Sequence, residues 1–252
     1  MAAGVPDRIR VCLFDLDGVL TQTAVVHAKA WKQIFDDYLR RRADDTGGAF
    51  TPFDPVADYD RYVDGRSRAD GTRGFLQARG ISLPEGTPAD PPGTDTIYGL
   101  SNAKNEVLLA LLAAEGVRAY PGSVQYLDSV QAGGLLTAVV SASENCRAVL
   151  KAAGLEGRFD AVVDGLVAKQ DKLAGKPAPD SYLAAAKELA VPPSAAAVYE
   201  DAIAGVQAGR AGQFGWVVGV DRVGQAAELK SAGADVVVTD LAELLAADHS
   251  AS

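Results

Sequence analysis

The segment Ile9–Gly18, IRVCLFDLDG, joins a short apolar run to two acidic residues. The run over residues 9–14 has the length and the β-branched content of a strand buried on both faces of a parallel sheet. It ends abruptly at Asp15 and Asp17. Because ligands of open parallel sheets bind at the carboxyl ends of the strands, these two carboxylates are candidate site residues.

Beyond Tyr120, short apolar segments alternate with segments of helical periodicity. Strands are predicted at 135–140, 161–163, 195–199, 216–220 and 236–238, and helices at 144–153, 179–190, 203–211 and 225–232. Such alternation indicates βαβ units with right-handed crossovers and a parallel sheet. The predicted fold class is therefore α/β, with a Rossmann-like core.

A different pattern separates the first strand from this alternation. Helices are predicted at 24–42 and from about 101 to 115, loops at 43–54 and 85–99, and no strand between residues 24 and 117. An α-helical domain, 23–117, is thus expected as an insertion into a core made of 1–22 and 118–252. The small, polar tail from about Ala246 is expected to fray.

Composition limits the classes of function. Lys and Arg total 24 and Asp and Glu total 33, so the net charge is 24 − 33 = −9. Phosphodiester backbones and anionic lipids repel such a chain, and we expect neither nucleic-acid nor membrane binding. Cys12 and Cys146 cannot form a disulfide framework and indicate a reducing compartment. Because the sequence has no long apolar segment, we expect a cytoplasmic protein. We also expect a monomer.

Three predicted strands end in side chains that can carry chemistry. The first ends at Asp15 and Asp17, the next at Ser141 and Ser143, and a later one at Glu200 and Asp201. Each alone could be a turn residue, a helix N-cap or a charge at a helix N-terminus. Together, however, four carboxylates at one sheet edge call for a cation, and oxygen ligands suit Mg²⁺. Lys176, in the loop GKPAP, offers a basic group.

In this order, the segments resemble the loop motifs of the haloacid dehalogenase superfamily of phosphotransferases. The matching segments are DLDGVLT at 15–21, Ser141, KPAPD at 176–180 and ED at 200–201. The resemblance covers essentially the whole chain and is weakest over 43–100. It implies Mg²⁺-dependent phosphoryl transfer through an aspartyl phosphate, on a Rossmann-like core with an inserted helical cap.

The resemblance also implies a role for each residue of the core. Asp15 would be the nucleophile and Asp17 the general acid and base. The Asp15 carboxylate, the Asp17 backbone carbonyl and Asp201 would hold Mg²⁺, with Glu200 nearby. Three residues would bind phosphate oxygens and offset their charge in the transition state: Ser141, Ala142 and Lys176.

Within the superfamily, the helical insertion is most similar to the cap of the β-phosphoglucomutase subfamily. Arg68, in DGRSRAD, matches the cap arginine that binds the distal phosphate of a bisphosphate. The other matching residues are His27, Trp31, Lys104, Asn105, Ser143 and Asn145. The resemblance implies a sugar-phosphate substrate, with β-D-glucose 1-phosphate converted to glucose 6-phosphate through β-glucose 1,6-bisphosphate.

Alternatives stay open at this point. His27 could be a packed histidine, Trp31 a partly structural side chain, and Arg68 one of several solvated arginines. The sequence departs from the subfamily, which has lysine, lysine and serine, at three positions: Asp64, Glu144 and Ala202. The first two remove positive charge from the region of an outer phosphate. The alternative function is therefore a sugar-phosphate phosphatase, and a rival from another class is a non-catalytic binding module.

Overall fold

In the computed structural model, which describes residues 4–246, six strands form one sheet. The strands are β1 (Val11–Phe14), β2 (Leu136–Val140), β3 (Ala161–Val163), β4 (Ala196–Glu200), β5 (Trp216–Val220) and β6 (Val236–Val238). All neighbouring strands are parallel, in the order β3-β2-β1-β4-β5-β6. The tail that the sequence predicts to fray lies outside the described residues, apart from its first residue.

The strand β1 is the centre of this sheet. Phe14 pairs with Val139 of β2 on one side and with Tyr199 of β4 on the other. The strand order therefore reverses at β1, which is where open α/β sheets bind ligands. All four residues of β1 are buried, as its apolar sequence predicts.

Ten α-helices lie within residues 4–246. They are α1 (Ala24–Thr46), α2 (Arg68–Ala78), α3 (Ile97–Glu115), α4 (Pro121–Ala132), α5 (Cys146–Ala152), α6 (Gly165–Gln170), α7 (Asp180–Glu188), α8 (Ile203–Ala211), α9 (Ala226–Ala232) and α10 (Glu243–Ala246). None of these helices is both long and apolar enough to cross a membrane.

The chain divides into two units. The core unit comprises Met1–Gln22 and Val117–Ser252, and the inserted unit comprises Thr23–Gly116. In the core unit, apolar side chains of the strands pack against those of the helices, with Leu13, Val198 and Tyr182 fully buried. That the core unit is catalytic and the inserted unit a cap stays a prediction.

An aromatic cluster holds the inserted unit together. Phe35 of α1 is fully buried, and its ring stacks on Trp31 with 5.0 Å between centroids. Phe75 of α2 lies 4.2 Å from the Phe35 ring, and Phe53 lies 5.3 Å from it. No strand occurs between residues 24 and 117, all of which the structure describes, as predicted.

The predicted α/β class with a Rossmann-like parallel sheet is confirmed, but several helix bounds are wrong. The predicted loop 43–54 begins only after residue 46, because α1 continues to Gly47, which ends it at φ +66°. The predicted loop 85–99 ends early, because Thr96 caps α3 by accepting the Gly99 N–H. Four helices, α2, α4, α6 and α10, are not predicted from the sequence, since they are short or have apolar positions that lie beside glycine.

Candidate active site

The turn after β1 carries the two predicted catalytic aspartates. The Asp15 amide donates to the Tyr199 carbonyl of β4 at 2.9 Å, which extends the sheet by one residue. Gly18 has φ +87°, a conformation that side chains disfavour, and its amide donates to the Thr21 carbonyl at 2.8 Å. A Cβ atom on Gly18 would lie 1.7 Å from Oδ2 of Asp201, so glycine allows that carboxylate to approach the turn.

Lys176 lies between two carboxylates. Its Nζ donates to Oδ1 of Asp15 at 2.6 Å and also to Oε1 of Glu200. All three side chains are buried. The Tyr182 hydroxyl donates to the same Glu200 oxygen at 2.9 Å, and the Ala202 amide donates to Oε2 of Glu200 at 3.0 Å. Glu200 is therefore held at both oxygens, and it in turn holds Lys176 beside Asp15.

Burial and the neighbouring charges shift the pKa values of Asp15 and Lys176. Burial alone would lower the pKa of the Lys176 ammonium, but Asp15 and Glu200 outweigh it and raise that pKa well above its usual value. Burial raises the pKa of the Asp15 carboxyl well above its usual value, and the Lys176 charge opposes this shift. Burial therefore disfavours the charged form of each group, and the neighbouring carboxylates favour the ammonium form of Lys176.

An acidic cluster at this edge fits a divalent cation. Carboxylate oxygens of Asp15, Glu200 and Asp201 all lie within 4.8 Å of one another. This donor set contains oxygen only, which is the set that Mg²⁺ prefers. Lys176 supplies one positive charge against three carboxylates, so a bound cation would also relieve their mutual repulsion.

The loop after β2 presents hydroxyls and amides at the neighbouring strand end. The Ser141 amide donates to the Val163 carbonyl at 3.0 Å, which continues the sheet to β3. Ser141 Oγ accepts the Ser143 amide at 3.1 Å, and Ser143 Oγ accepts the Asn145 amide at 3.2 Å. These bonds fix residues 141–145 in a tight loop, with Ser141 buried at its start.

The candidate residues of the inserted unit form a group of three and a pair, which meet at neighbouring residues of α3. Lys104 Nζ lies 3.1 Å from Nδ1 of His27 and 5.0 Å from the centre of the Trp31 ring. On the next residue of α3, Asn105 Oδ1 accepts a hydrogen bond from Nη1 of Arg68. The structure therefore brings His27, Trp31 and Lys104 together. Trp31 is only 3% exposed, so packing is a large part of its role.

Sequence reasoning missed two residues that shape the lysine site. Tyr182 lies on α7 at an ordinary apolar position, and only the fold shows that its hydroxyl reaches Glu200. A Cβ atom on Gly205 of α8 would lie 1.8 Å from Oε1 of Glu200. The glycine thus leaves room for the Glu200 carboxylate, and no local sequence signal identifies this close approach.

Residues 9–213, which include these strand ends, match a family model described as haloacid dehalogenase-like hydrolase. The chain belongs to this family. Its predicted family, and the prediction that it is an enzyme, are confirmed. It is 56% identical over 245 residues to a β-phosphoglucomutase of Mycobacterium bovis, covering 96% of this chain and 94% of that protein.

Two further relatives extend this similarity. The chain is 30% identical over 237 residues to the β-phosphoglucomutase of Bacillus subtilis, covering 94% of this chain and 92% of that protein. Among solved structures, the β-phosphoglucomutase of Clostridium difficile matches with a TM-score of 0.72 and 26% identity, covering 94% of this chain and 93% of that chain. The similarity in fold therefore includes both units.

Replacing Lys176 with methionine leaves Asp15 and Glu200 buried without their cation. We expect Lys176→Met to lower the free energy of unfolding by about 3–5 kcal/mol, measured by urea denaturation without metal. Lys187→Met, at an exposed position of α7, is the matched control and should change it little. Adding Glu200→Gln to Lys176→Met should recover part of the loss. Equal stability of the two lysine variants would contradict the assigned ion pairs.

Proposed function

We propose that the chain interconverts β-D-glucose 1-phosphate and glucose 6-phosphate through β-glucose 1,6-bisphosphate. The observation that carries this proposal is the buried Lys176, which donates to Asp15 directly after the central strand. A nucleophilic carboxylate that must approach a phosphate dianion requires such a fixed positive charge beside it. The named relatives, with 56% identity over 245 residues in one case, support the choice of substrate.

The proposed chemistry begins at Asp15. One oxygen of its carboxylate forms a bond to the C1 phosphorus of β-glucose 1,6-bisphosphate while the bond from that phosphorus to the sugar oxygen breaks, which gives an aspartyl phosphate and glucose 6-phosphate. Asp17 donates a proton to the departing oxygen. In the return step, the 6-hydroxyl of β-D-glucose 1-phosphate passes its proton to Asp17 and attacks the aspartyl phosphate, which forms β-glucose 1,6-bisphosphate and restores the Asp15 carboxylate.

Mg²⁺ fits the acidic cluster, with Asp15, the Asp17 backbone carbonyl and Asp201 as its proposed ligands. When bound, it would neutralise phosphate charge and orient the phosphate for attack. Both oxygens of Glu200 already accept hydrogen bonds, so we assign Glu200 to the support of Lys176, close to the ion.

The remaining candidates are proposed to bind the substrate. The Ser141 hydroxyl, the loop at Ala142 and Lys176 would bind the phosphate that is transferred. Arg68 would bind the second phosphate, because guanidinium groups suit bidentate phosphate contacts. Four further residues are proposed to contact or orient the sugar phosphate: His27, Lys104, Ser143 and Asn145. Trp31 would support Lys104, over whose ammonium its ring lies.

A sugar-phosphate phosphatase of the same fold is the second candidate. Asp64, an acid that is 8% exposed in the inserted unit, is the observation that favours it. The β-phosphoglucomutase subfamily has lysine at this position, so the acid here removes a positive charge that could attract a second phosphate. The two candidates differ in the group that attacks the aspartyl phosphate: a sugar hydroxyl in the mutase and water in the phosphatase.

Asp15→Asn removes the proposed nucleophile, since an amide cannot form an acyl phosphate. We expect phosphoryl transfer to fall by more than about 10³-fold, equivalent to about 4 kcal/mol of barrier. We also expect intact mass spectrometry to detect a phosphate adduct on the starting protein and none on Asp15→Asn. Asp171→Asn, at an exposed acid of the same unit, is the control. Near-normal turnover by Asp15→Asn would overturn the assignment of the nucleophile.

Arg68→Ala separates binding of a second phosphate from hydrolysis in general. We expect transfer to glucose phosphate to fall by about 10- to 150-fold, which corresponds to one lost charge-assisted hydrogen bond of about 1.5–3 kcal/mol. Hydrolysis of a small aryl phosphate, which has no second phosphate, should change little. Arg61→Ala, an exposed arginine of the same unit, should affect neither rate. If Arg68→Ala lowers both rates by one factor, Arg68 is structural.

A further inference from the structure

The loop that follows β5 is closed on itself by one carboxylate. Oδ1 of Asp221 accepts the backbone amides of Val223 at 3.2 Å, Gly224 at 2.7 Å and Gln225 at 2.8 Å. Three amides on one oxygen fix the course of residues 221–225. We refer to these residues as the β5 loop. It gives the side chains of Arg222 and Gln225 a rigid base at the carboxyl edge of the sheet.

Arg222 reaches from the β5 loop to the turn that carries Asp17. Its Nε donates to the Gly18 carbonyl at 2.8 Å, and its Nη1 donates to the Thr239 carbonyl at 2.7 Å. The guanidinium lies 3.6 Å from the centre of the Tyr120 ring. Stacking on Tyr120 and the hydrogen bond to Thr239 therefore fix the Arg222 side chain, and its third contact holds Gly18, the residue after Asp17.

Gln225 makes the corresponding contact to the other acidic segment. Its Nε2 donates to the backbone carbonyl of Asp201 at 3.0 Å, and its side chain is largely buried. Asp201 directly follows β4 and belongs to the acidic cluster. The β5 loop therefore makes a hydrogen bond to the backbone of each segment that carries site acids. One of these segments follows β1 and the other follows β4.

The two held segments also touch each other. The Cα atom of Gly18 packs so closely against the Asp201 carboxylate that a Cβ atom there would lie 1.7 Å from Oδ2. Glycine has the widest backbone freedom of any residue, so the turn at Gly18 needs an external contact to keep one conformation. The Arg222 hydrogen bond is such a contact, and it sets where the turn meets Asp201.

We propose that Arg222 and Gln225 are positioning residues that set the spacing of the Asp17 turn and Asp201 for a divalent cation. This inference rests on the proposed function in one respect, which is that the acidic cluster binds Mg²⁺. Neither side chain acts on the substrate. Both act through backbone carbonyls, one on the residue after Asp17 and one on Asp201 itself. Residues that orient metal ligands in this way change metal affinity by about 10- to 100-fold when they are replaced.

The test measures the binding of Mg²⁺ alone to the full, metal-free chain by isothermal titration calorimetry. We expect Gln225→Met and Arg222→Met each to weaken Mg²⁺ binding by about 10- to 100-fold. Arg222→Lys keeps one charged donor that can reach the Gly18 carbonyl, and it should recover part of this loss. Thermal unfolding without metal is recorded for every variant, because a purely structural role would change only that quantity.

The core unit offers a matched control for each variant. Gln131 Nε2 donates to the backbone carbonyl of Arg158 at 2.6 Å, and Arg210 Nε donates to that of Gly233 at 3.0 Å. These two side chains tie backbone segments that carry no site acid. Gln131→Met and Arg210→Met should therefore lower the unfolding temperature to a similar degree while Mg²⁺ affinity stays at the starting value.

Each outcome decides the inference. The inference is overturned if Gln225→Met and Arg222→Met bind Mg²⁺ as tightly as the starting protein does. It is also overturned if the two control variants lose as much Mg²⁺ affinity. Both results leave the proposed function intact. If the starting protein itself binds no Mg²⁺, the inference and the metal part of the proposed function fail together. If Arg222→Met does not fold, Gln225→Met and Arg222→Lys decide the result by the same comparison.

Discussion

Lys176 is a buried ammonium, with one hydrogen bond to Asp15 and another to Glu200. A lone ammonium in such a place would lose its proton or draw in water, so the carboxylates are a condition for its burial. The dependence is mutual, because Asp15 and Glu200 are as buried as the lysine. Hydrogen bonds from the Tyr182 hydroxyl and the Ala202 amide hold Glu200 in place, and the absence of a side chain at Gly205 leaves room for its carboxylate. The result is a positive charge beside Asp15 before any phosphate arrives, which is the preorganisation that phosphoryl transfer needs.

The fold brings this pair to an edge where other groups converge. Because β1 lies between β2 and β4 in one parallel sheet, the segments that follow these three strands meet at the same edge. One supplies Asp15 and Asp17, the next the loop that begins at Ser141, and the third Glu200 and Asp201. The β5 loop adds the backbone contacts of Arg222 and Gln225 to the first and third segments. We infer that the spacing of the acids depends on three strand ends, which are those of β1, β4 and β5.

Much of this arrangement follows from the sequence, for a physical reason. The strands at 161–163, 216–220 and 236–238 have the predicted bounds, because each is a short apolar run between turn residues. Parallel strands place their carboxyl ends together, so the convergence of the acidic segments was predictable as well. Contacts between residues that lie far apart in sequence are not predictable in this way. Lys176 was predicted to bind phosphate, but its contact with Asp15 spans 161 positions and depends on the packed fold. Tyr182, Arg222 and Gln225 have no local signal, since their role depends on what their side chains reach.

We propose that the phosphoryl group on Asp15 passes to a sugar hydroxyl. This proposal is tested most directly by ³¹P NMR of the purified chain with β-D-glucose 1-phosphate, Mg²⁺ and a catalytic amount of β-glucose 1,6-bisphosphate. We expect the signal of β-glucose 1-phosphate to be replaced by that of glucose 6-phosphate, with total sugar phosphate conserved. Release of inorganic phosphate as the main product would contradict it and identify water as the acceptor.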